Sequence, residues 1–112
     1  MTLPHEGVLL RIFIGEADKH ERQPLYEWIV QKAREQHLAG ATVLRGLMGF
    51  GANSRLHTAQ ALRLSLPIVI EIVDTREKIE AFLPLVDVAV EEGLVTVERV
   101  QARLYRSNHR RG

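Results

Sequence analysis

Six apolar residues, Leu62, Leu64, Leu66, Ile68, Ile70 and Ile72, alternate without a break, and no other pattern constrains the fold as strongly. A period of two puts all six on one face of a β-strand, so the rest of the chain must supply a layer to cover them. Pro67 falls inside the run and removes a ladder donor, which predicts an edge or a bulge at that point. Gly7–Gly15 reads as another strand, with Val8, Leu10, Ile12 and Ile14 on one face and Leu9, Arg11 and Phe13 on the other.

The covering layer comes from two stretches with helical spacing. Pro24 suits the first turn of a helix in which Leu25, Trp28, Ile29, Lys32, Ala33 and Gln36 recur, and Gly40 is placed to end it. Asp74, with Glu77 three residues later, resembles a capping box at the start of the second helix. The stripe of that helix is Ile79, Phe82, Leu83, Val86 and Val90, and Pro84 within it predicts a kink or a split. Ala41–Leu47 and Leu94–Tyr105 are two further strands. In the last, Val95 and Val97 share one face but Val100, Ala102 and Leu104 share the other, which predicts a bulge near Glu98 and Arg99. Glu16–Gln23 has loop composition, and Met48–His57 reads as a connecting loop of about ten residues.

Strand, helix, strand, strand, helix, strand is the βαββαβ order. The expected fold is therefore α+β: a ferredoxin-like sandwich with a four-stranded antiparallel sheet and two helices on one face. The opposite face would carry Leu9, Phe13, Val69 and Val73 among Arg11, Arg63 and Glu71. It is too apolar for water and too charged for a second core, so burial against copies of itself is the simplest solution.

Composition narrows the functional classes. A chain of 112 residues, 46% apolar and 26% charged, has room for one globular domain over 1–112 and is not disordered. Its last residues, 106–112, form a basic tail read as a flexible, solvated end. The absence of cysteine excludes a disulfide scaffold and a thiolate metal site. Met1–Gly7 does not resemble a signal peptide, and no apolar run approaches the roughly 18 to 20 residues of a membrane span, so a cytoplasmic protein is expected. A net charge of +1 and the lack of a basic face with interleaved aromatics argue against nucleic-acid binding. Ser54, Ser65 and Ser107 have no nucleophile-elbow context, so no enzyme is expected.

Two clusters could bind something. Gly46, Gly49 and Gly51 could bring backbone N–H groups close to an anion, with Arg45 supplying charge, although glycines in a turn also serve the turn itself. Asp18, His20 and His57 lie in loops and are the candidates for a metal site, although a solvated loop explains them equally well.

Arg11–His20, Pro24–Glu27, Gly40–Gly46, Gly49–Gly51 and Leu94–Glu98 together resemble the domain-of-unknown-function 190 family, over Gly7 to Tyr105. That family is similar in fold to the PII signalling proteins and the CutA-type trimers. The resemblance implies a homotrimer with ligand clefts between subunits, and a cytoplasmic sensor of a small anionic ligand such as a nucleotide. Its regulated partner would be a membrane transporter or an enzyme; the resemblance leaves any cofactor unknown. Arg45, Gly46, Gly49, Phe50, Gly51 and His57 form the ligand-binding set on this reading. The alternatives are a CutA-like metal-binding protein and a ligand-free structural interaction module. Two departures from PII proteins stand out. The stretch after the second strand, Met48–Ala61, is shorter and lacks a tyrosine, and the turn Glu91-Glu92-Gly93-Leu94 is acidic where PII proteins carry a Gly/Lys-rich phosphate cradle.

If Met48–Ala61 responds to ligand, its amide hydrogens should exchange more slowly once ligand is bound, because ordering and contact both protect them. Protection over 48–61 that is the same with and without ligand would remove the switching role.

Overall fold

The computed structural model describes residues 5–51, the backbone of 56–58, and residues 65–107. Along the chain run β1 (His5–Gly15), β2 (Lys19–His20), β3 (Gln23–Pro24), α1 (Leu25–Glu35), β4 (Thr42–Arg45), β5 (Met48–Phe50), β6 (Leu56–Thr58), β7 (Pro67–Asp74), α2 (Arg76–Ala89) and β8 (Leu94–Ala102). The main sheet has the order β4-β7-β1-β8 with every neighbouring pair antiparallel. This is the expected ferredoxin-like sandwich.

Register explains the core. Ile12 lies opposite Ile70, Leu10 opposite Ile72 and Ile14 opposite Ile68, so the buried residues of β1 and β7 form cross-strand pairs on one face. Trp28 and Ile29 of α1 join Ile79, Phe82 and Val86 of α2 in the same buried cluster. Burying each such side chain stabilises the fold by about 1.5 to 3 kcal/mol.

Several boundaries differ from the sequence reading. The long alternation does not run through Pro67: β7 begins there, Ser65 and Leu66 lie outside the ladder, and Leu62 and Leu64 fall outside the described residues. Proline has no N–H to give, so it is tolerated as the first strand residue, where its carbonyl accepts the Gly46 N–H at 2.7 Å. Pro24 precedes α1 as its N-cap and pairs with Lys19. Gly40 does not end α1. The left-handed residue is His37 (φ 62°), with its N–H bonded to the Arg34 carbonyl and the Leu38 N–H to Ala33. That is a Schellman closure, and Leu38 packing on the core beside Ala33 offsets the cost of a non-glycine residue there.

At the second helix the N-cap is Thr75, whose hydroxyl accepts the Lys78 N–H at 3.3 Å. Asp74 is instead the buried last residue of β7, and its carboxylate accepts the N–H groups of Thr75 at 2.7 Å and Ala39 at 2.8 Å. Pro84 does not split α2, which is continuous over Arg76–Ala89. The proline is exposed, so water can satisfy the Glu80 carbonyl that it leaves without a donor.

β8 has no bulge. Its ladder with β1 runs unbroken from Phe13 opposite Leu94 to His5 opposite Ala102. The parity change arises because apolar residues occupy both faces in turn: Val95 and Val97 on the helix side, Val100 and Ala102 on the open side. Glu16–Gln23 is not wholly irregular either. Lys19–His20 pairs with Gln23–Pro24 around Glu21 and Arg22, both at positive φ (51° and 70°), which is a two-residue turn of the I′ kind.

The open sheet face is banded. Leu44, Val69, Phe13 and Leu94 form an apolar row across all four strands, and Thr42, Glu71, Arg11 and Thr96 form the polar row beside it. Arg11 reaches Glu71 at 2.8 Å and Glu98 at 3.4 Å, and the hydrogen bond to Glu71 raises the guanidinium pKa above its ordinary value. Arg63, expected on this face, lies outside the described residues. Among the described residues no helix is long and apolar enough to cross a membrane.

Ile70 is fully buried, so Ile70→Ala should cost about 2 to 5 kcal/mol in equilibrium unfolding. Val88→Ala, at a side chain that is 75% exposed, should change stability by no more than about 0.5 kcal/mol. Equal effects would mean that the buried face is assigned incorrectly.

Candidate functional site

Where β1 ends and β7 begins, the chain turns sharply and leaves a cleft of about 430 Å³. Its walls are the ends of the two central strands (Phe13 to Gly15, Pro67 to Val69), the β4–β5 segment around Gly46, Met48 and Phe50, and the Glu92–Gly93 turn before β8. The walls thus come from four parts of the chain that only the sheet order brings together.

Close backbone packing builds this corner. A Cβ on Gly46 would stand 2.9 Å from Cγ of Pro67, and one on Gly93 would stand 2.5 Å from the Phe13 carbonyl oxygen. Both turns therefore lie against the strand ends at distances a side chain would prevent. Below them, the Asp18 carboxylate accepts the Gly15 N–H at 2.9 Å, the Ser65 hydroxyl accepts the Ala17 N–H at 3.2 Å, and the Leu66 carbonyl accepts the Glu16 N–H at 2.8 Å. These bonds fix the β1–β2 turn against the segment leading into β7.

Four residues expected in the ligand-binding set, Gly46, Gly49, Phe50 and Gly51, line this cleft. The Gly46 N–H is given to Pro67, so it is already occupied. Arg45 does not line the cleft. It lies opposite Ile68, which puts its side chain on the helix side of the sheet, where the guanidinium pairs with Glu16. His57 is on β6, and its side chain lies outside the described residues. The stretch read as a connecting loop instead contains a short ladder, with Met48 opposite Thr58, Gly49 opposite His57 and Phe50 opposite Leu56. Three-residue strands that include a glycine carry too little alternation to be recognised from sequence. Residues 52–55 of this stretch, and 59–61 beyond it, are outside the described residues.

The other candidates separate. Asp18 lines the cleft, whereas His20 packs edge-on against Trp28 with ring centroids 4.5 Å apart and lies 3.7 Å from Glu21. Among the described residues no group of three or more His, Asp and Glu side chains could hold a metal ion. Glu92, Gly93 and Pro67 were not singled out as site residues. The acidic Glu91-Glu92-Gly93 turn was the available signal, but its proximity to Phe13 comes from the pairing of β8 with β1. The lining carries the carboxylates of Asp18 and Glu92 but, among its described residues, no lysine or arginine.

The profile of the DUF190 family, described as uncharacterized ACR, matches residues 7–102. The chain belongs to this family. Within UPF0166 proteins, one from Aquifex aeolicus is 42% identical over 95 residues, covering 83% of this chain and 90% of the relative. Another, from Methanocaldococcus jannaschii, is 35% identical over 92 residues, covering 80% and 84%. Among solved structures, CPII, a nitrogen regulatory PII-like protein from Thiomonas intermedia K12 bound to ADP, AMP and bicarbonate, superposes with a TM-score of 0.62 at 19% identity. The match covers 89% of this chain and 91% of CPII. This DUF190 chain therefore has the PII-like fold.

Gly93→Ala would force a methyl group against the Phe13 carbonyl and should lower stability by about 1 to 3 kcal/mol in denaturant unfolding. Gly51→Ala, with nothing within 4 Å of the added carbon, should stay within about 0.5 kcal/mol. If Gly93→Ala were equally silent, the close packing of the turn on β1 would be wrong.

Proposed function

We propose that this protein is a PII-like sensor in the cytoplasm. It binds a small anionic molecule between the subunits of a homotrimer and regulates a partner protein, a membrane transporter or an enzyme, without catalysing a reaction. The observation that carries the reading is the cleft at the β1–β7 corner. Its volume is within the range of small-molecule sites, and Phe50, 72% exposed, offers an aromatic face there. The ADP, AMP and bicarbonate bound to CPII make adenine nucleotides the first class to test.

The trimer rests on the apolar row of the open face. Leu44 and Leu94 are 48% and 59% exposed in the isolated chain, at the two edge strands, so the row ends where a neighbouring subunit would continue it. A ring of three subunits would bury these positions and enclose the cleft.

Light scattering at micromolar concentration should give three times the 12.7 kDa chain mass. Leu44→Glu, placing a charge in the apolar row, should yield folded monomers that no longer bind. Calorimetric titration of the wild type with AMP, ADP and ATP should show saturable binding of at least one. A monomeric wild type, or a trimer that binds none of the three, would overturn the reading.

A further inference from the structure

The described lining of the cleft holds no lysine or arginine, and the cation next to its wall in the chain, Arg45, is already engaged. Arg45 is the residue immediately before Gly46, and Glu16 immediately follows Gly15; both glycines line the cleft, so each member of the pair is one residue along the chain from its wall. The pair joins β4 to the β1–β2 turn, the two segments that approach one another across the β7 start. Glu16 is held there by its own backbone, through the bond from its N–H to Leu66, so its carboxylate is presented to Arg45 rather than reaching it by chance.

The pairing uses little of the guanidinium. One nitrogen of Arg45, Nη2, meets one oxygen of Glu16, and the arginine side chain is 58% exposed while that of Glu16 is 23% exposed. A guanidinium has five N–H donors arranged to grip a carboxylate or phosphate with two parallel bonds. Most of that fork is therefore unspent. An exposed pair of this kind contributes little to stability, so an incoming anion with better geometry can displace it.

We infer that Glu16 is a built-in counter-ion that sets the cleft's affinity for anions: the anionic group of a ligand must displace it from Arg45 to bind. Resting on the proposed sensor function, this assigns the charged end of the ligand to Arg45 and its apolar part to the Phe13, Met48 and Phe50 walls. The described lining offers an anionic group the Asp18 carboxylate and no lysine or arginine, so the group is directed to Arg45. Glu16 then acts as a selectivity residue. Weak anions fail to displace it, whereas a phosphate group able to bond the guanidinium in bidentate fashion succeeds.

The test is a double-mutant cycle on the full chain with ADP and inorganic phosphate as probes, read by calorimetry. Glu16→Gln keeps the shape and the backbone bond but removes the charge. It should tighten ADP binding about two- to fivefold, the factor that loss of a competing exposed ion pair allows. Arg45→Ala should weaken ADP binding, and Glu16→Gln added to Arg45→Ala should then produce no further change. Melting temperatures within a few degrees of wild type confirm that both variants fold. If the wild type binds ADP but Glu16→Gln leaves the affinity unchanged or weaker, or its effect persists without Arg45, the counter-ion role is overturned while the sensor function stands. If neither the wild type nor Glu16→Gln binds ADP or phosphate, both are overturned.

Discussion

β1 is hydrogen-bonded on both edges, to β7 and to β8, and the remaining architecture depends on how its side chains divide. Val8, Leu10, Ile12 and Ile14 point into the core, while Leu9, Arg11 and Phe13 point to the open face. A slip of one residue in either ladder would exchange the two sets, burying Arg11 and exposing four apolar side chains. The helices enforce the register because their own stripes, Trp28 and Ile29 with Phe82 and Val86, need the even-numbered residues as partners. The same register aligns Phe13 with Val69 and Leu94, and so creates the apolar row on the open side.

That alternation ends at Gly15, and the cleft begins there. The turns that enclose it are held by backbone bonds and by glycines packed on strand ends, so its shape follows from the sheet's corner. Its electrostatics run against a simple anion cradle: the Gly46 N–H is occupied, Asp18 is among the lining residues, and Arg45 is paired with Glu16. Apolar contact supplies most of the wall. The acidic turn seen in the sequence therefore has a structural place, over the end of β1.

The core strands and both helices were legible because their periodicity is long and regular. Boundaries were less so, and each miss has a local cause. His37 takes the left-handed position that Gly40 seemed suited for, because Leu38 must follow it directly onto the core. Thr75 caps α2 because Asp74, one residue earlier, points inward with β7's buried set and is needed to bind the Ala39 N–H. Glu21 and Arg22 occupy a turn that usually favours asparagine and glycine, so nothing in their identity announced it. Glu21 reaches the Trp28 indole N–H at 3.3 Å, a contact that helps hold the turn in place.

Of the site, the glycine-rich segment and Phe50 could be chosen from sequence, because glycine clustered beside an aromatic residue is a local pattern. Arg45 could be singled out but not positioned: which face of β4 it occupies depends on register with Ile68, and its pairing depends on where β1 ends. The sequence by itself determined the two helices and the four strands of the main sheet, the face that each central strand buries and the family, since these depend on short-range periodicity and local motifs. Only the tertiary structure decided that Asp18, Gly46, Pro67 and Gly93 share one cleft and that Glu16 meets Arg45. Those residues are far apart in the chain, and their proximity is set by the order in which four strands pair.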